Sequence, residues 1–311
     1  MMFTLKVVLG KQKLALMPLI ILGLSISCLG FSRLPCKAQQ TNNAQLDRDL
    51  IRASLAPNLQ EMRELFNKGA NVNAKSDTGE PLFVQVMNYY NIMCKQDTKY
   101  TLESTRRFKI VINELLLRKV DVNARANGGD TALMYCNYDL QLAQTLVERG
   151  ASVNVCNSKK ETALHTGAEY GQSSVAKLLL EHGAQVDAVD NKGRTPLLRS
   201  GITGNIAMTK VLLAHKADPN YSAPDGTSPL TSWYGDPEVV PILIKAGAKV
   251  SLQGKRTPLR FARRNLSEYK SGTSLWWELN RTPKYLKARR IQLIKSAEKA
   301  IEALKQAGAR L

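Results

Sequence analysis

Short blocks of hydrophobic residues at helical spacing recur along the chain, each closed by a polar turn. Val175, Leu178 and Leu179 share one face of a helix, and the word LEHGAQVD (180–187) ends it. The closing word returns as FNKGANVN (66–73), VERGASVN (147–154), IKAGAKVS (244–251) and LKQAGARL (304–311). Weaker copies are LRKVDVN (117–123) and AHKADPN (214–220). A second word opens the blocks: DTALMYC (130–136), ETALHTGA (161–168), RTPLLRSG (194–201), TSPLTSWY (227–234) and RTPLRFAR (256–263). Gly150 to Gly183, Gly183 to Lys216 and Thr162 to Thr195 each span 33 residues. Two words kept in phase predict a chain of stacked repeated units.

Each word has a physical task. Threonine caps free N–H groups, and proline suits the first helical turn. Gly150, Gly183 and Gly247 fall just past a helix, where a left-handed backbone ends it without a Cβ clash. Asp190 to Arg194 has the composition of a tight turn. His182 and His215 are also 33 residues apart, so the period, not a catalytic centre, places them.

This period and these words resemble the ankyrin repeat family, over roughly residues 45–311. The best copies are 157–188 and 190–221, through KETALH…LLLEHGAQVD and GRTPLL…VLLAHKADPN. The resemblance implies an all-α solenoid of about six to seven helix-turn-helix units. It implies that His165 bonds backbone near the adjacent turn. It also implies a module that binds other proteins through turn tips and the concave helix face and does no chemistry itself. Carried onto this chain, the contact positions are Asn127, Gly128 and Asp130, then Ser158, Lys159, Glu161, Glu169 and Tyr170. They continue with Asn191, Lys192, Arg194, Ile202 and Thr203, then Asp225, Thr227, Trp233 and Tyr234. Trp233 stands where the family has a small core residue, so it either packs inside or anchors a partner.

The period breaks in four places. Gly69 to Lys119 is 50 residues, with the excess near 88–107, between two helices. Gly247 to Gly308 is 61, with the excess near 266–290. The units at 131 and 228 are each about two residues short between helices. Pro237 fits a helix start, and Pro241 is expected to distort the same helix. The expected organisation is a leader at 1–38, a capping repeat at 39–74, repeats at 75–251 and a basic capping repeat at 252–311. The last helix, 288–308, is expected to turn Ile291, Ile294, Ile301 and Leu304 inward.

Lys6, Lys11 and Lys13 precede an apolar, uncharged stretch from Leu14 to Phe31, and Cys36 and Ala38 make a small-x-small pair. This has the form of a secretory signal cleaved after Ala38. The alternatives are an uncleaved anchor over 14–31 and lipidation at Cys28. Export implies a periplasmic or extracellular protein, and leader and size together suggest a bacterial one. Cys94, Cys136 and Cys156 follow no metal spacing; an oxidising compartment would permit one bridge and leave one thiol.

The net charge of +18 is unevenly placed. Five basic residues lie in the leader, residues 39–254 hold 24 basic and 22 acidic side chains, and 255–311 hold 15 and 4. A second use follows: attachment to an anionic surface or polymer through Arg260, Arg263, Arg264, Lys284, Lys287, Arg289 and Arg290. The alternative is a solvated capping face, and export argues against nucleic acid. The chain holds no G-x-S-x-G, P-loop or H-E-x-x-H. Neither an enzyme, a cofactor nor a metal is expected, and the expected state is a monomer with a protein partner.

Overall fold

The computed structural model describes residues 36–95, 99–233, 237–250, 257–271 and 283–309. Residues 1–35 of the expected signal sequence, Tyr234 and the tryptophans at 276 and 277 lie outside them, and residues 36–38 begin the first described helix. Among the described residues the chain forms twelve α-helices, two short 3-10 helices and no strand beyond two isolated bridges.

The helices pair into seven units. They are α1 (Cys36–Leu55) with α2 (Leu59–Asn67), and α3 (Leu82–Lys95) with α4 (Lys99–Leu117). A 3-10 helix (Ala132–Tyr135) pairs with α5 (Leu140–Glu148), α6 (Ala163–Tyr170) with α7 (Ser173–Glu181), and α8 (Pro196–Thr203) with α9 (Ile206–Ala214). A second 3-10 helix (Pro229–Thr231) pairs with α10 (Val239–Lys245), and α11 (Pro258–Ser271) with α12 (Pro283–Gln306). First helices pack on first helices and second on second, as in α6 on α8 and α7 on α9. The core is therefore a strip running the length of the stack, from Leu50 to Leu304.

Local chemistry starts and stops the helices where the repeated words fall. Asn58, Asp139, Thr195 and Asn205 each accept a backbone N–H at a helix start, with Asn205 Oδ1 2.8 Å from the Met208 N. Past the second helices, Gly150, Gly183 and Gly247 have φ of 85°, 81° and 91°. Lys119 and Lys216 hold the same left-handed conformation without being glycine, at 59° and 66°. His182 and His215 end α7 and α9, and His182 Nδ1 is 2.8 Å from the Leu178 carbonyl.

A side-chain ladder joins the units. Asn73 Oδ1 accepts from Asp121 N, Asn123 Oδ1 from Ser152 N, Asn154 Oδ1 from Gln185 N and Asn220 Oδ1 from Lys249 N, all at 2.7–2.8 Å. The Nδ2 groups of Asn123, Asn154 and Asn220 donate to the carbonyls of Gly150, Gly183 and Gly247.

The irregular units differ from a plain repeat in instructive ways. In unit two, α3 and α4 are 14 and 19 residues long, against 8 and 9 for α6 and α7. The described part of 88–107 is thus added helical turns, with Tyr89 stacked on Phe108 at 6.5 Å. Pro241 does not distort α10: it is the third residue of that helix, where no intrahelical N–H bond is required. In α12 the buried face is Leu293, Ala297, Ala300, Ile301 and Leu304, while Ile291 is 48% exposed. At 100° per residue Ile291 lies about 130° from the centre of that face, which is why it stays outside. In unit seven, Arg260 and Arg263 occupy columns filled by His165 and Ala168, or Leu198 and Gly201, in units four and five. In units four and five those positions are buried, whereas Arg260 and Arg263 are exposed.

Candidate functional site

Five turn tips project from the units and close alike, the N–H of the first residue meeting the carbonyl four positions on. These are Ser76 with Glu80, Ala126 with Asp130, Asn157 with Glu161, Asp190 with Arg194, and Ala223 with Thr227, at 2.8–2.9 Å save the fourth at 3.0 Å. Neighbouring tips are tied edge to edge. Asn127 Nδ2 donates to the Thr78 carbonyl, Ser158 N to Gly128, Asn191 N to Lys159, and Tyr221 Oη to Gly193. The tips therefore form one continuous rim, in which Asn127 is an exposed link.

Behind the rim, the first helices carry a buried charged cluster. Arg199 is 3% exposed, and its guanidinium reaches Glu169 at 2.8 Å, Asp190 at 2.6 Å and Glu161 at 2.5 Å. Asp190 also pairs with Arg194 at 2.9 Å and accepts the N–H groups of Lys192 and Arg194. Burial pushes the Asp190 carboxyl up, but Arg199 and the Arg194 backbone outweigh it and bring the pKa to about 2. Glu161 is likewise lowered, burial being outweighed by Arg199 and Asn157. His165 is fully buried: Thr162 N–H donates to its Nδ1, and its Nε2 is 3.1 Å from the Arg194 carbonyl. Burial lowers its pKa, so it stays neutral and ties one unit to the next tip.

Beyond that cluster the ends of the first helices are open and aromatic. Tyr170 is 38% exposed, Tyr138 41% and Ile202 44%. The rings of Tyr138 and Tyr170 lie 6.0 Å apart. Lys95, at the end of the lengthened α3, places its Nζ 2.9 Å from Tyr170 Oη and 4.1 Å from the ring centre.

The positions expected from the sequence divide accordingly. Tyr170 on α6, and Ile202 and Thr203 on α8, are exposed at the helix ends that make the inner face. Ser158, Lys159, Asn191, Lys192 and Asp225 are exposed on the rim, where Thr227 bonds Asp225 at 2.8 Å. Glu161, Glu169 and Arg194 are held within the Arg199 cluster, and Asp130 is held by Asn157 at 2.8 Å. Trp233 is not a surface anchor: it is completely buried, donates to the Leu230 carbonyl at 2.7 Å and meets Phe261 edge-on at 5.1 Å. Lys95, Tyr138 and Arg199 escaped the sequence reading, because only the stacking of units brings them beside the others.

The basic positions of the last unit also differ among themselves. Arg260 and Arg263 are exposed, and Arg264 pairs with Glu268 at 2.8 Å. Arg289 bonds Gln292, and Arg290 is turned inward onto the Tyr269 and Lys270 carbonyls that end α11. The side chains of Lys284 and Lys287 lie outside the described residues. Among the described residues no three His, Cys, Asp or Glu side chains are grouped to hold a metal. Cys94, Cys136 and Cys156 are free, Cys136 being buried and Cys156 exposed. No described helix is long and apolar enough to cross a membrane.

Comparison with known proteins agrees with this architecture. A sequence model of ankyrin repeats, in three copies, matches residues 136–223. Residues 136–223 are therefore ankyrin repeats. The chain is also 33% identical over 75 residues to a putative ankyrin repeat protein of Rickettsia bellii (strain RML369-C). That match covers 24% of this chain and 44% of the relative, so the chain spans less than half of that protein. Ankyrin repeats are generally protein–protein interaction modules and are typically non-enzymatic. The matched repeats include the rim at 157–162 and 190–195, the Arg199 cluster, Tyr138 and Tyr170, and Ile202.

Proposed function

We propose that this ankyrin-repeat chain is a non-enzymatic binding module whose protein partner docks on the rim and the inner face beside it. The observation that carries this is the exposed group of Tyr138, Tyr170 and Ile202 on successive units, against an Arg199 cluster that fixes the neighbouring backbone. Aromatic side chains on a rigid support are the usual anchors of protein interfaces. The rim supplies the polar surround through Lys159, Asn191 and Lys192. The basic, apolar and small-residue order of residues 1–38 supports action outside the cytoplasm. Mass spectrometry of the exported protein should then find Gln39 as the first residue.

Affinity capture from an envelope extract tests the docking face. The full chain should retain one protein in stoichiometric amount, and a Tyr138→Ala, Tyr170→Ala, Ile202→Ser variant should lose it. Retention by the triple variant, or no partner for the parent chain, would contradict the proposal.

A further inference from the structure

The inner face carries a feature that names the chemistry of the partner; the inference rests on the docking face proposed above. Unit three opens with a 3-10 helix of four residues where unit four has an α-helix of eight. The missing turns leave a notch between units two and four. The added turns of α3 reach across it, so that Lys95 touches Tyr170, 75 positions away in sequence. Tyr138, from the shortened unit, lies beside Tyr170 at 6.0 Å.

Among the described residues, Lys95 meets no carboxylate; its contacts are the hydroxyl and ring of Tyr170. This sets it apart from its neighbours. Lys109 pairs with Asp139 at 2.7 Å, Arg194 with Asp190, and Arg199 with three acids. Glu169, next to Tyr170, is engaged by Arg199 at 2.8 Å. Among the described residues, the ammonium in the notch is thus paired with no acid. Because Lys95 donates to Tyr170 Oη, the phenolic proton of Tyr170 is left to donate elsewhere. The Tyr138 hydroxyl has no hydrogen-bond partner among the described residues either. Lys95 and the Tyr138 and Tyr170 side chains lie together with no carboxylate bonded to them among the described residues, and Ile202 is exposed on the following unit.

We propose that the notch of Lys95, Tyr138 and Tyr170 receives a carboxylate flanked by an apolar side chain on a segment of the partner protein. The carboxylate takes the Lys95 ammonium and the tyrosine hydroxyls, and the apolar neighbour covers the rings towards Ile202.

The test selects a displayed random-peptide library on the immobilised full chain and measures the enriched peptides by fluorescence anisotropy. Enriched sequences should carry Asp or Glu beside Leu, Ile, Phe, Tyr or Trp. Lys95→Met on the chain, or amide for acid on the peptide, should each weaken binding by roughly five-fold, and both together should cost little more than one. Lys95 is exposed, so the variant keeps its fold, which circular dichroism checks. Enriched peptides without an acid, or binding indifferent to Lys95→Met, would overturn the proposal. If such peptides still lose affinity on Tyr170→Ala, the inner face stands as the docking site and only its chemistry is wrong. If Tyr170→Ala also has no effect, or no peptide is enriched over the bare support, the docking face falls with it.

Discussion

Asn154 and Gly183 belong to consecutive units, and the Nδ2 of the first donates to the carbonyl of the second at 2.9 Å. With Oδ1 on the Gln185 N–H at 2.8 Å, one amide both accepts and donates across the unit boundary. Asn123 and Asn220 do the same. Asp187 occupies this column in the next unit and can only accept, from Asp218 N at 3.1 Å. Burial pushes its carboxyl up, and the Asp218 charge adds to this against the Asp218 N–H bond. Asp187→Asn should therefore stabilise the chain by about 1 kcal/mol in urea titrations at neutral pH, through a new bond to the Lys216 carbonyl. The sign of the pH dependence follows: a raised folded pKa means stability is lost as pH rises through it, and the asparagine variant should lack that slope.

The left-handed positions give a matched pair. A Cβ at Gly183 would meet no atom within 4 Å, so a substitution there probes only the backbone. Gly183→Val should destabilise by at least about 1 kcal/mol, because a β-branched residue resists φ of 81°. Lys216 holds φ of 66° with a side chain, and Lys216→Gly should stabilise by roughly 0.5–1 kcal/mol. The same urea titrations measure both, and equal signs for the two changes would contradict this register.

Removing Arg199 should be among the most damaging single changes. Arg199→Met leaves Asp190 to Arg194 and Glu161 to Asn157. A loss of roughly 3–5 kcal/mol is expected, because carboxylates stay buried without their partner. Acid titration separates this from a packing defect. With a folded pKa of about 2 against an ordinary 3.8, Asp190 contributes stability that is complete above 3.8 and lost as pH falls through about 2. The variant should unfold with a shallower dependence on pH across that window.

Trp233→Ala should destabilise by roughly 3–5 kcal/mol, as the loss of a fully buried aromatic and its contact with Phe261. Trp233→Phe should recover most of this. Partner capture by the phenylalanine variant should match that of the parent chain, because Trp233 is inside the stack and not on the docking face.

The two repeated words made the hairpins, their caps and the left-handed closures legible, because a single unit fixes each of them. Relations across units were not legible. Arg199 meets Glu161 over 38 positions, and nothing near either residue in sequence announces the other. The notch is further removed, since it needs a shortened first helix in unit three and a lengthened one in unit two. Trp233 was ambiguous for the same reason: its burial depends on Phe261 of the following unit. The place of Pro241 is not legible because it depends on where α10 starts to within a turn.

Site-specific photo-crosslinking in living cells probes the docking face most directly. A photoreactive residue at Ile202, which is 44% exposed on the inner face, should capture one discrete protein partner. The same residue at Leu117, 72% exposed on the second helix of unit two, should capture none. Capture at Leu117 with none at Ile202 would contradict binding on the inner face.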